Sequence, residues 1–141
     1  MESVVAPSRL VENAVSKRDS HPESSIFAEC GPDGIPAFQA ICLAAEAGDA
    51  LARTVLAEAA GHFAVAINNI VQICDPGRIV LFGDYVSAGD FFLERLVQAA
   101  QTVSLIGIDK RTVIEYSHLS EDQGVVGAAN MMTDSMFAGG K

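Results

Sequence analysis

The stretch IVLFGDYVSAGDFF, residues 79–92, decides how this sequence folds. Its apolar start, Ile79 to Phe82, stops at Gly83. A short continuous apolar run bounded by turn residues predicts a fully buried parallel strand. A polar bend follows, and then GDFFLERLVQAAQ (89–101) places Phe92, Leu93, Leu96, Val97 and Ala100 on one face of a predicted helix. A strand that ends in glycine and feeds a helix can serve as a phosphate- or nucleotide-binding corner. It is equally an ordinary turn of an α/β protein.

Upstream, DALARTVLAEAAGHFAVAINNIVQIC (49–74) carries apolar residues in steps of three and four: Leu51, Val55, Leu56, Ala59, Phe63, Ala66, Ile67, Ile70 and Val71. That period predicts one long helix. Its second half is apolar on nearly all sides, which predicts burial. Asp49 suits the N-cap, and Asp75-Pro76-Gly77 breaks the helix. A shorter helix runs from Pro36 through Phe38, Ile41, Cys42 and Ala45 to a stop at Gly48. An earlier one starts at Pro7, with Leu10, Val11, Ala14 and Val15 on one face. Residues 19–25, DSHPESS, read as an exposed loop, and CGPDGIP (30–36) as a turn cluster.

Downstream, TVSLIGIDKR (102–111) crosses over to TVIEYS (112–117), a second strand whose Ile114 and Tyr116 alternate with Val113, Glu115 and Ser117. GVVGAANMMTDSMFAGG (124–140) reads as a small-residue helix ending in glycines. The order α-α-α-β-α-β-α contains one right-handed βαβ unit. Two strands are few for a domain of this size, so further strands or a partner's edge are expected.

Composition narrows the function. The chain has 141 residues, half of them hydrophobic, no Trp, and a formal charge of −9. That is enough apolar material for one core, and an acidity that opposes nucleic-acid binding. The start, MESVVAPSRL, lacks a charged start followed by an apolar core, so no signal peptide is expected there. No apolar run reaches the roughly 18 residues a span needs, Phe63–Cys74 being interrupted by Asn68, Asn69 and Gln72. The expectation is a cytoplasmic protein with no membrane partner. Cys30, Cys42 and Cys74 form no CxxC pair and read as reduced thiols. His21, His62 and His118 stand without ligand spacing, so zinc is not expected; no cofactor is expected either.

The succession of AINNIVQICDPGRIVLFGDYVSAGDFFLERL (66–96), TVIEYS and GVVGAA resembles the C-terminal part of the ROK family of repressors and sugar kinases. MESVVAPSRLVENAV is similar to the family's residues just after its zinc-binding CxCGxxGCxE motif, Glu2 matching the final Glu. The resemblance implies an α/β fold: the C-terminal part of an actin-like, hexokinase-like (ribonuclease H-like) ATPase lobe, helix-rich with a small parallel sheet. It implies a single-domain piece, 1–141, of the second lobe, without the phosphate loop, catalytic Asp, zinc ligands or helix-turn-helix of longer members. It implies a homo-oligomer, a dimer first. It also implies that Glu2 would bind a sugar hydroxyl, and that Gly83, Asp84, Gly124 and Gly127 mark a nucleotide-loop remnant.

Kinase members read G-G-G or G-G-x where this chain has Phe82-Gly83-Asp84-Tyr85. A carboxylate at Asp84 and bulk at Tyr85 both oppose ATP. The expectation is therefore a scaffold corner in the effector-sensing and oligomerisation portion of a sugar-responsive transcriptional regulator, of the kind that includes the xylose and N-acetylglucosamine repressors. Such a portion would not be an enzyme. A sugar or sugar phosphate would be the effector of the whole protein, and DNA would be bound only through a separate N-terminal domain. The alternatives are the C-terminal piece of an ATP-dependent ROK sugar kinase and a self-standing oligomeric module. Three further features carry little chemistry: the Glu58–His62 pair, the Glu115–His118 pair, and acidic Glu121-Asp122 at a helix start. Phe91 is a candidate for an exposed apolar patch.

Overall fold

The computed structural model describes residues 6–28, 30, 32–103 and 112–118. Expectations for Glu2, for most of the crossover and for the helix bearing Gly124 and Gly127 lie outside the described residues.

The long apolar period becomes helix α3, Ala50–Cys74, preceded by α1, Pro7–Ser16, and α2, Phe38–Glu46. Strand β1, Arg78–Leu81, leads through a 3₁₀ turn at Asp84–Ala88 into α4, Gly89–Val103, and then β2, Val113–Tyr116. Asp49 caps α3 as expected, its side chain accepting from Ala52 N at 2.9 Å. It also accepts from the Ser24 and Ser25 hydroxyls and from Ser25 N, so it ties the α2–α3 junction to residues 24–25. Gly48, at φ +99°, closes α2 by donating to Ala45 O. Asp75 ends α3 in the left-handed region, φ 42°, and Pro76 prevents continuation.

The largest helix interface joins α3 to α4, and α1 and α2 also pack on α3. Leu51, Ala52, Val55, Leu56, Ala60 and Ala64 of α3, Phe92, Leu96 and Ala100 of α4, and Ile41 and Ala45 of α2 are buried in one core. Alanine on both helices allows this close approach. Asn68 is buried as well, and donates to Ala64 O at 2.9 Å and Ala100 O at 3.1 Å. It thus crosses from α3 to α4 and satisfies itself on both.

The two strands pair in parallel, Arg78 opposite Val113 through Leu81 opposite Tyr116, as a crossover through α4 requires. Leu81, Ile79, Ile114 and Tyr116 face the helical core. The expected full burial of β1 does not hold. Val80 is 50% exposed and Val113 49%, because helices cover one face only among the described residues. The same reason corrects the second half of α3. Ala64, Ala66 and Ile67 are buried, but Val65, Ile70 and Ile73 are exposed. By length and composition the 25 residues of α3 could cross a membrane, contrary to the sequence reading. Half of its most apolar window lies inside the protein, which is how a core helix behaves. The loop at 19–25 is less open than expected, since Ser24 is buried against Asp49.

Candidate functional site: the β1–α4 corner

The corner runs from Phe82 to Gly89 and is bounded by two glycines with positive φ. Gly83 has φ +86° and ψ −152°, and Gly89 has φ +81° and ψ −179°. Both sit in a region that is almost exclusively glycine's. Open space surrounds the position where a Cβ would stand on Gly83. At Gly89 that Cβ would run into the carboxylate of Glu46.

Tyr85 corrects the steric reading of the corner. Its ring does not stand in the open side of the turn but is buried in an aromatic cluster. It meets Phe38 edge-on at 5.1 Å and Phe63 at 4.8 Å, and lies 5.0 Å from Phe92. The 3₁₀ turn makes this possible by swinging residue 85 back over the core while Asp84 stays outside. Burial, with smaller contributions from Cys42 and Asp84, pushes the Tyr85 hydroxyl up to about 12. Phe82, 57% exposed, Asp84, Val86 and Ser87 face solvent, and Gly83 is part-exposed.

The downstream end is fastened by three elements. Glu46, the last residue of α2, accepts the backbone N–H of Phe91 at 2.8 Å. That N–H belongs to the first turn of α4, where it has no partner within the helix. Tyr116 of β2 donates its hydroxyl to Gly89 O at 2.6 Å. Its ionisation is raised, chiefly by burial, so it remains a donor at ordinary pH. Arg53 of α3 donates to Ala45 O at 2.9 Å and lays its guanidinium over the Phe91 ring, 5.1 Å from its centre. Arg95 covers the same ring at 5.4 Å. Phe91 is therefore half-buried between two cations and packed on the core, not a free apolar patch.

The other candidates are structural. Glu58 accepts from Asn13 at 2.7 Å and Lys17 at 2.6 Å, which pins α1 to α3. The Lys17 bond outweighs desolvation and, with Asn13, holds the Glu58 carboxyl below its usual range. His62 lines the same shallow groove of about 380 Å³. Glu115 pairs with Arg78 across the strands at 3.0 Å, so the structure does not use it for His118. Among the described residues no group of His, Cys, Asp or Glu could hold a metal ion. Cys42 is buried, and burial pushes its thiol up to about 12. Sequence reasoning missed Glu46 and Tyr116 altogether. The one available signal was Gly89, a second glycine six residues after Gly83.

A small parallel sheet with helices packed on one face and a glycine-bounded strand–helix corner places the chain among the α/β folds. The sequence pattern of the ROK family matches residues 27–135, and the chain belongs to that family. It is 26% identical over 127 residues to a glucokinase of Halalkalibacterium halodurans, covering 90% of this chain and 38% of that one. It is 35% identical over 88 residues to the bifunctional enzyme NanE/NanK of Brucella melitensis, covering 62% of this chain and 16% of that enzyme. The fold is that of a ROK family glucokinase from Streptomyces griseus, solved with glucose and AMPPNP: TM-score 0.76, 22% identity, 89% of this chain and 41% of that one. The chain thus spans well under half the length of these relatives. The expected actin-like, hexokinase-like architecture stands. The expectation of a non-enzyme is contradicted, because these relatives are kinases by name.

Proposed function

We propose that this chain is part of a ROK-family sugar kinase, and that the β1–α4 corner faces the nucleotide. The observation that carries this reading is the inward placement of Tyr85, which leaves the open side of Gly83 free of its bulk. Asp84 then stands exposed beside a backbone that lacks a Cβ. A carboxylate there repels phosphates but accepts hydrogen bonds from ribose hydroxyls. The corner accordingly suits the nucleoside end of ATP, with the phosphates directed away from Asp84. The similarity to kinases over 90% of the chain supports the same class of reaction, phosphoryl transfer from ATP to a hexose or an N-acetylhexosamine.

A second reading, the effector-sensing part of a sugar-responsive regulator of the same family, keeps one observation: the Asp84 charge itself. Turnover separates the two. The full-length protein is incubated with magnesium ATP and a panel of hexoses and N-acetylhexosamines, and sugar-dependent ADP release is measured. Turnover with one class of sugar is expected. Sugar binding without ADP release, together with sugar-dependent DNA binding, would overturn the kinase reading.

A further inference from the structure

We propose that Glu46 is a positioning residue for the nucleotide-facing corner, acting through Gly89 rather than by touching the ligand. The inference rests on the nucleotide reading of the β1–α4 corner. Three observations carry it. The Glu46 carboxylate accepts the Phe91 N–H at 2.8 Å, a bond that spans 45 residues of sequence. The same carboxylate occupies the space where any side chain on residue 89 would begin, so glycine there makes room for it. The carbonyl of Gly89 is held from the other side by the Tyr116 hydroxyl at 2.6 Å.

These contacts bring α2, α4 and β2 together on two adjacent peptides, 89–90 and 90–91. The 3₁₀ turn of Asp84–Ala88 lies between this clamped glycine and the open glycine at 83. Tyr85 and Ala88 are buried, so the middle of the turn is seated on the core. With one end fixed and the middle seated, Asp84 and the Gly83 backbone have one orientation to offer. Glu46 itself is exposed and distant in sequence from the corner, so its effect on a ligand would run through the backbone it holds. Arg53 steadies the end of α2 on which Glu46 stands, through its bond to Ala45 O.

Two substitutions in the full-length protein test this. Glu46→Gln keeps an acceptor oxygen of the same reach, whereas Glu46→Ala removes it. Amide hydrogen exchange without ligand is followed at residues 83–91, and the KM values for ATP and for sugar are measured separately. Glu46→Ala is expected to speed exchange at residues 83–91 about tenfold while leaving α3 unchanged, as local opening does. It is expected to raise the KM for ATP roughly tenfold with the sugar KM unmoved, the loss of one charge-assisted hydrogen bond. Glu46→Gln should recover most of both. Unchanged exchange in Glu46→Ala would overturn the clamp. Faster exchange with an unchanged ATP KM and kcat would overturn the positioning role. If the unsubstituted protein binds no ATP, the nucleotide reading fails, and the exchange comparison still decides whether Glu46 fixes the corner.

Discussion

Gly83 and Gly89 bound the same turn, share the same sign of φ and differ in everything around them. Gly83 is required by its backbone angle alone, since open space surrounds the position a Cβ would take. Gly89 is required twice, by its angle and by the Glu46 carboxylate that fills the same position. The contrast separates two uses of glycine that a sequence writes identically. One end of the corner is left open, where a ligand's approach would matter. The other is closed by protein, where the corner must be held.

The harshest way to break the contrast is to remove the support both ends share. Phe92 is fully buried and touches Tyr85 and Phe63, whose rings carry the middle of the turn. Phe92→Ala should cost about 3–5 kcal/mol through lost burial and a cavity. Thermal or urea unfolding reads this, and both glycine ends should lose protection together.

The glycines themselves give the next largest effect. Gly83→Ala should cost about 1–3 kcal/mol, the strain of an L-residue in that backbone region. Gly89→Ala should cost more, because the carboxylate must also move. Combining it with Glu46→Ala isolates the second requirement. The pair should be less damaging than the sum of the singles by about 1 kcal/mol, whereas Gly83→Ala and Glu46→Ala should add. Equal coupling at both glycines would erase the distinction.

Much of this fold could be read from residue order. The spacing of Leu51, Val55, Leu56 and Ala59 marked α3, Asp49 its cap, and IVLF the strand. What stayed hidden was any property set by an element far along the chain. Glu46 reaches Phe91 across 45 residues, and Tyr116 reaches Gly89 across 27, so no local pattern marks either. Tyr85 read as bulk in the turn because a turn residue's direction depends on the core beneath it. The burial of β1 was misjudged for the converse reason. An apolar run fixes that a strand forms, but its cover comes from other elements, and Val80 lacks it among the described residues.

Asn68 tests the far end of the helix that Gly89 begins. In the sequence it looked like an interruption of an apolar run; in the structure it joins Ala64 O to Ala100 O. Asn68→Ala should cost about 1–3 kcal/mol, since two buried carbonyls lose a shared donor. Hydrogen exchange should rise in the last turns of α4 and leave Phe91 protected, because Glu46 holds the first turn independently. Loss of protection at Phe91 would mean that α4 responds as one body and that the clamp at Gly89 has no separate stability.

Asp49 offers the mildest and most selective perturbation, because it acts on Glu46's platform and not on the corner. Burial works to raise its ionisation, but the N–H groups of Ala52 and Ser25 and the hydroxyls of Ser24 and Ser25 outweigh it and hold the carboxyl below its usual range. The sign follows from linkage. A depressed folded value means the stabilisation is present above the unfolded value of about 3.9 and is lost as pH falls through the folded one. Asp49→Ala should therefore cost about 1 kcal/mol at neutral pH, the usual loss of a helix cap. Its deficit relative to the unsubstituted chain should shrink below about pH 4, where the carboxylate it lacks would be protonated anyway. The α2–α3 turn carries Glu46, so exchange at residues 83–91 should rise in this variant as in Glu46→Ala, but more modestly. Faster exchange at Phe91 with Gly83 unchanged would show that the clamp stops at Gly89 and that the open glycine is held by its own turn alone.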